Sequence, residues 1–330
     1  MIRATAVAPA NIALIKYWGT RVQGRPVPAN ASLSMTLDRC VSRCTVEPGE
    51  GGGHDVRLVS LEGALTPAPE AFAAGVAAHL DRLLEWAGES MPLRVTTGNT
   101  FPTGAGLASS ASGFAALALA FVAASGRRVT PADLSLLARM SGSGSAARSV
   151  FGGWVLWPED ADDPDGPAIQ VATPDHWDLR DVIAVVDGSA KEVGSREGHL
   201  RASSSPHYAR RLELLPDRLL RARSALAARD FEALTEVVEE EATELHLIAM
   251  SSRPPIFYWA PGTVEVLAAV RAVRRKGVRA CATIDAGPNV HVLCPAEDES
   301  RVVAALESLA GVGYLIRDRV GAGPSVEVEP

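Results

Sequence analysis

Four short stretches of the chain gather the residue types that chemistry needs. Residues 99–112 read N-T-F-P-T-G-A-G-L-A-S-S-A-S. Gly104 and Gly106 let the backbone approach a ligand closely, and Ser109 and Ser110 put hydroxyls where a helix would begin. Free N–H groups and the positive end of a helix dipole meet there, which suits an anion such as a phosphate. The spacing matches neither the P-loop nor the dinucleotide fingerprint. A flexible turn before a serine-capped core helix uses the same residues.

The second stretch, residues 8–20, reads A-P-A-N-I-A-L-I-K-Y-W-G-T. Lys16 offers a point charge, Tyr17 a hydroxyl and Trp18 a flat apolar wall, the makings of an anion pocket. A strand end with Lys16 snorkelling to water fits equally. In the third, residues 141–149, Ser143, Gly144 and Ser145 precede Arg148. A guanidinium there engages a carboxylate in two parallel bonds, or is a surface arginine on a short helix. In the fourth, Asp285 lies between an apolar strand and Gly287-Pro288-Asn289. Such a turn can aim a carboxylate into a cleft as a general base, and a turn-forming Asp looks the same. Ser195 and Arg196 add a hydroxyl and a cation.

The elements that must position these residues follow from periodicity. Strands are expected at 2–7, 33–37, 41–46, 56–61 and 93–97, with a break near Asp38-Arg39. A helix over 69–88 turns Phe72, Val76, Leu80 and Leu83 to one face. Helices follow at 113–124 and from Pro131, the latter capped by Thr130. Strands at 153–157, 169–172 and 182–186 precede a more helical half. There, Leu212 to Leu226, Phe231 to Leu245, 264–275 and 300–310 have helical spacing. Strands 280–284, 290–293 and 313–316 complete an α+β chain. The shift toward helix puts a boundary within 175–190.

Taken in order, the motifs resemble a family. Pro102-x-x-x-Gly106-Leu107-x-Ser109-Ser110-Ala111 resembles the ATP-binding motif of the GHMP kinase superfamily. Three more segments are similar to the signature of its diphosphomevalonate decarboxylases: residues 8–20 with P-A-N-A-S-L-S at 28–34, residues 142–149 followed by Gly152-Gly153, and I-D-A-G-P-N at 284–289. The likeness runs from about Thr5 to Val292. It implies a ribosomal-protein-S5-like N-terminal domain, residues 1–180, a ferredoxin-like C-terminal domain, residues 181–330, and a site in the cleft between them.

The resemblance also implies the chemistry. ATP phosphorylates the tertiary 3-hydroxyl of a mevalonate carrying a 5-(di)phosphate; phosphate and carbon dioxide then leave. Asp285 would orient that hydroxyl and accept its proton, Lys16 would keep Asp285 ionised, and Arg148 would hold the substrate carboxylate. Tyr17, Trp18, Ser143, Gly144, Ser145, Ser195 and Arg196 would complete the substrate pocket. Asn99, Pro102, Gly104, Ala105, Gly106, Leu107, Ala108, Ser109 and Ser110 would hold ATP. Mg²⁺ would arrive with the nucleotide and touch Ser109 or Ser110, with no dedicated metal site. Family members are often homodimers.

Three positions depart from the pattern. Thr20 stands where the family has a second lysine for the diphosphate, His199 where several members have Met, and Ser141 where a basic residue is usual. Arg21 or Arg25 could replace the lost cation, or the substrate could be the monophosphate, as in phosphomevalonate decarboxylases. Mevalonate 3-kinases lack the aspartate, so Asp285 argues for decarboxylation. A nucleotide-sensing module without turnover would need no base at the reacting hydroxyl.

Composition sets outer limits. The 330 residues carry a net charge of −7, with 47 % hydrophobic and 22 % charged residues. That balance supports a large core and disfavours nucleic acid or an anionic membrane held by bulk charge. An anionic ligand must then be met by local cations and backbone dipoles. The N-terminus lacks a signal-peptide run, and no stretch reaches the length of a membrane span. Cys40, Cys44, Cys281 and Cys294 lack metal-site spacing and are too sparse for a disulfide scaffold, so a reduced cytoplasm is expected.

Overall fold

A computed structural model describes residues 1–22, 27–102, 109–158, 163–189 and 191–329. The loop residues Gly104, Ala105, Gly106, Leu107 and Ala108, and the candidate cation Arg25, lie outside the described residues.

In chain order the first half carries β1 (Ala4–Ile15), β2 (Ser32–Pro48), β3 (Asp55–Val59), β4 (Leu65–Pro67), α1 (Glu70–Ala87), β5 (Leu93–Asn99), α2 (Ser109–Ala124), α3 (Pro131–Arg139), β6 (Trp154–Trp157) and β7 (Ile169–Ala172). The second carries β8 (Leu179–Val185), α4 (Ser195–Arg201), α5 (Tyr208–Ala228), α6 (Phe231–Ser251), α7 (Pro261–Arg274), β9 (Cys281–Thr283), β10 (Val290–Pro295), α8 (Glu299–Leu306), β11 (Tyr314–Arg319) and β12 (Ser325–Val328). Two sheets result, an α+β arrangement. The larger has the order β12-β1-β2-β5-β3-β4, with β6 on β2 and β7 on β6; the smaller has the order β11-β8-β10-β9.

The expected break at Asp38-Arg39 does not end the strand: β2 runs unbroken past it. The reason lies far along the chain. Asp318 on β11 accepts the backbone N–H groups of Asp38 and Arg39 at Oδ1 and of Cys40 at Oδ2, at 2.8, 2.9 and 2.8 Å. A distant carboxylate supplies the partners that the ladder lacks there.

α2 is built of small residues because it must lie flat against the large sheet. Ala115, Ala116, Ala118 and Ala120 are all fully buried against Ala4, Ala6 and Ala8 of β1 and Cys44 and Val46 of β2. α3 begins at the expected cap, with Thr130 accepting from the Asp133 N–H and the Asp133 side chain accepting from Thr130. α5 and α6 pack between the sheets, joining Ile12, Leu14 and Leu33 to Ile183 and Leu293 in one core. α7 and α8 cover the other face of the small sheet. Among the described residues, no helix is long and apolar enough to cross a membrane.

Candidate active site

β1 ends at Ile15, and the chain emerges as Lys16-Tyr17-Trp18 at the mouth of a cavity of about 830 Å³. The Lys16 side chain is 1 % exposed. Its ammonium donates to the Ala13 carbonyl at 2.7 Å and to Asp285 Oδ1 at 2.6 Å. Asp285 comes from the turn after β9, and the turn is fixed by Asn289. The Asn289 Oδ1 accepts from the N–H groups of Val186 and Asp187 at 2.7 and 3.1 Å, tying the turn to the end of β8. Residues 269 positions apart in sequence thus form one ion pair. Burial alone would push the Asp285 carboxyl up; the Lys16 charge and hydrogen bond, with His291 and Arg148 further off, hold it below the ordinary carboxylate range.

Arg148, 3 % exposed, enters from the first half. Its Nε donates to Asn11 Oδ1 at 3.1 Å and its Nη1 to Ser32 Oγ at 2.5 Å. Burial pushes its guanidinium down to about 10, partly opposed by Asp285 and Tyr17, so it remains a cation at neutral pH.

Beside this end lies a smaller lobe of about 230 Å³, lined by Tyr17, Thr20, Ser143, Ser145, Arg196 and His199 among others. Ser143 Oγ and Ser145 Oγ are 3.3 Å apart. Ser195 starts α4 and Arg196 is exposed to the lobe. Gly144 is required by close approach: a Cβ there would meet the rings of Trp157 and Tyr17 at 2.7 Å. Gly19 is required by its φ of +96° and by the Tyr208 hydroxyl, which a Cβ would strike at 1.8 Å. Tyr17 packs edge-on to Trp157 with centroids 5.0 Å apart and lies 4.1 Å from the His199 ring. Burial pushes the Tyr17 hydroxyl up, so it stays a protonated donor. Trp18, 2 % exposed, forms apolar wall against Tyr258 and His199.

His199 Nδ1 accepts from the Gly19 N–H at 3.0 Å. Burial, with the charges of Arg211, Lys191 and Arg148, pushes its ring down to about 3. A neutral imidazole that accepts at Nδ1 carries its proton on Nε2. Thr20 Oγ1 lies 2.9 Å from the carbonyls of both Val22 and Val27, which share its single proton.

The opposite end of the main cavity is apolar, walled by Leu58, Val59, Leu61, Phe72, Val76, Phe114 and Leu117. Phe72, whose spacing put it on the buried face of α1, is instead 38 % exposed and faces this lobe. Ser109, Ser110 and Pro102 line the passage between the two ends. Asn99 stands there too, accepting from Ser42 Oγ at 2.6 Å, and Ser42 is 2.7 Å from Ser112 Oγ on α2.

The sequence reading missed Lys191. This residue lines the cavity, its ammonium donates to the Ala286 carbonyl beside Asp285, and it sits 5.7 Å over the Tyr258 ring. A signal was available: of the 32 Lys and Arg residues only Lys16, Lys191 and Lys276 are lysines. Two of those three line one cavity. Lys16, Arg148, Lys191 and Arg196 face a single carboxylate, Asp285, among the charged lining residues. A chain of net charge −7 thus concentrates positive charge where an anion would sit.

Comparison with known proteins gives a consistent result. A family model described as the diphosphomevalonate decarboxylase-like N-terminal domain matches residues 8–168, and one for the mevalonate 5-diphosphate decarboxylase C-terminal domain matches residues 181–326. Diphosphomevalonate decarboxylase of Candida albicans is 32 % identical, covering 98 % of this chain and 98 % of its own. The Staphylococcus aureus mevalonate diphosphate decarboxylase structure superposes with a TM-score of 0.90 at 30 % identity, over 99 % of this chain and 98 % of that one. A structure described as "MDDEF in complex with MVAPP, AMPPCP and Magnesium" gives a TM-score of 0.89 at 33 % identity, over 99 % of both chains.

Proposed function

The chain belongs to the diphosphomevalonate decarboxylase family, and from that premise we propose that it converts (R)-5-diphosphomevalonate and ATP to isopentenyl diphosphate, ADP, phosphate and carbon dioxide. The observation that carries this reading is the Lys16–Asp285 pair, 2.6 Å long, on the wall of a cation-lined cavity that also contains the start of α2. Relatives named diphosphomevalonate decarboxylase match almost the whole chain and favour the diphosphate over the monophosphate.

Each residue then has a task. Asp285, kept ionised by Lys16, orients the 3-hydroxyl and takes its proton as that oxygen attacks the γ-phosphorus of ATP. The new ester's C–O bond breaks, phosphate leaves with the bonding pair, and the tertiary carbon becomes electron-deficient. The bond to the carboxylate breaks next; its electrons form the double bond and carbon dioxide departs. Arg148, its Nε and Nη1 already held by Asn11 and Ser32, meets the substrate carboxylate through its remaining N–H groups. Tyr17, Ser143, Ser145, Ser195 and Arg196, with the close backbone of Gly144, hold the 5-diphosphate, and Trp18 walls the pocket. Asn99, Pro102, Ser109 and Ser110, with residues 104–108, cradle the ATP phosphates, and the apolar lobe takes the base.

Magnesium fits as an ion carried by the nucleotide. The donors at the start of α2 are hydroxyl oxygens, hard ligands suited to a hard cation, and among the described residues no group of three His, Cys, Asp or Glu forms a cage of its own. When bound, it offsets phosphate charge.

The two domains would divide at 180/181, with β12 returning to the first sheet. A homodimer and a cytoplasmic setting complete the reading; four free, buried cysteines support the latter. The test is carbon dioxide release with ATP, magnesium and each substrate. The diphosphate should exceed the monophosphate in kcat/KM by about tenfold or more, the worth of one charge-assisted bond. ATP hydrolysis without carbon dioxide, or turnover of the monophosphate alone, would overturn it.

A further inference from the structure

The Lys16 peptide lies just beyond the β1 ladder, so its buried N–H and carbonyl need partners from elsewhere. They come from two helices of the other half of the chain and from Asn30. Glu241 of α6 and Arg211 of α5 are both 0 % exposed and paired with each other. Glu241 Oε1 accepts the Lys16 N–H at 3.1 Å. Arg211 Nη2 donates to the Lys16 carbonyl at 3.0 Å, and its Nη1 reaches the Trp18 carbonyl at 3.4 Å and Asn30 Oδ1 at 3.3 Å. Asn30 in turn donates to the same Lys16 carbonyl at 2.9 Å. Glu241 Oε2 accepts from Arg218 at 3.1 Å, and Arg218 also pairs with Glu244.

This cluster is costly for a merely structural device, because burying ion pairs contributes little net stability compared with packed apolar side chains. Its two acids and two arginines cancel in net charge. What it does supply is geometry. α6 also holds the strand that leads to Asp285: Glu239, two residues before Glu241, accepts the Ala282 N–H of β9 at 3.1 Å. Residues two positions apart on a helix face different sides. One rigid helix therefore grips the Lys16 peptide from one side and the β9 edge from another.

We propose that Arg211 and Glu241 are positioning residues that fix the Lys16 peptide on α6 and thereby set its ammonium against Asp285. The proposal rests on the reading that Lys16 and Asp285 serve the reacting hydroxyl. Displacing a reacting group by about 1 Å costs on the order of a hundredfold in rate, so a looser grip acts on kcat.

The test is Arg211→Lys, which keeps the charge and loses the planar reach across four acceptors, those of Lys16, Trp18, Asn30 and Glu241. In full-length protein we expect kcat to fall about tenfold or more with the KM for ATP within about twofold. Val238→Ala, which opens a cavity in the apolar core on the same α6 and touches none of the bonds to the Lys16 peptide, serves as the stability control; it should lower Tm and leave kcat within about twofold. Parent-like kcat in Arg211→Lys overturns the proposal, as does an equal loss of kcat in Val238→Ala. Should Arg211→Lys not fold, Asn30→Ala decides. It removes one donor to the Lys16 carbonyl and one acceptor of Arg211 while keeping all four charges of the cluster, with a kcat loss of about threefold expected and parent-like kcat overturning. Asp285→Asn separates the two failures: if it keeps its rate, the functional reading falls, and if it is silent while Arg211→Lys is parent-like, only the positioning claim falls.

Discussion

Two neighbouring polar regions, the Lys16–Asp285 end of the main cavity and the smaller lobe beside it, are built differently. At the reacting end, Lys16, Asp285 and Arg148 have protein partners before any ligand arrives, and the two cations are 1 % and 3 % exposed. In the smaller lobe, proposed above for the 5-diphosphate and called the phosphate end, Ser143, Ser145 and Ser195 are short hydroxyls and Arg196 is exposed. The contrast teaches where preorganisation is placed. Groups that meet charge only as it develops gain from being fixed in advance. Groups that bind a full dianion in the ground state can be completed by the ligand itself. Changes at the first end should therefore act on kcat and changes at the second on KM.

The hardest test of that division is Asp285→Asn, which keeps shape and removes the base. We expect kcat to fall by about 10³ or more, roughly 4 kcal/mol, while ATP binding stays within about twofold. A loss seen mainly in KM would erase the distinction between the ends. Lys16→Met comes next, with a loss on the order of 10² in kcat. It also carries a signed pH effect. The lysine is the main reason the Asp285 carboxyl lies below its ordinary range against burial. Without it the carboxyl rises, so the acid limb of the kcat profile moves to higher pH. A limb that stays put would show that Lys16 does not hold the charge of Asp285.

The reacting end was also the more legible one. Lys16, Arg148 and Asp285 each sit in a short, unusual motif, and a motif is local. What brings Lys16 to Asp285 is not local: the Glu241 and Arg211 grip and the Asn289 tie depend on side chains that look like ordinary helix charges and turn residues in sequence. Lys191 lay outside the quoted motifs, and only the scarcity of lysine marked it. The polar pair Asp38-Arg39 interrupts the apolar pattern of β2, yet Asp318 from β11 holds the strand together. α4 and β12 escaped notice for another reason. S-R-E-G-H-L-R has one exposed leucine and no apolar stripe, and S-V-E-V is exposed along its length, so neither shows the period that burial imposes.

Acid should sharpen the comparison further. His199, at the phosphate end, accepts a proton in the fold only near pH 3, whereas the unfolded side chain does so near 6.5. Its contribution to stability is whole above about pH 6.5 and is lost as the pH falls toward 3. For a half-buried ring that amounts to about 1–2 kcal/mol between pH 8 and pH 5. His199→Met removes the titration, so urea melts at the two pH values should differ by about that much less than in the parent. Equal pH sensitivity in the two proteins would mean that the ring titrates in the fold as it does in the unfolded chain.

The smallest effect expected is the most specific to the phosphate end. Thr20 lines the smaller lobe with Tyr17, Arg196 and His199, and its hydroxyl is spent on the carbonyls of Val22 and Val27. Thr20→Lys gives up that shared hydrogen bond and brings an ammonium to a lobe edge that is still solvated. A charge-assisted contact there is worth about 1 kcal/mol once screening is counted. The KM for the diphosphate should fall roughly threefold to fivefold, with kcat within about twofold. The monophosphate should gain less, because the added cation would stand opposite the group it lacks. Equal gains for both substrates would place the terminal phosphate away from Thr20, and a change confined to kcat would mean that the lobe edge and the Lys16–Asp285 pair are not energetically separate.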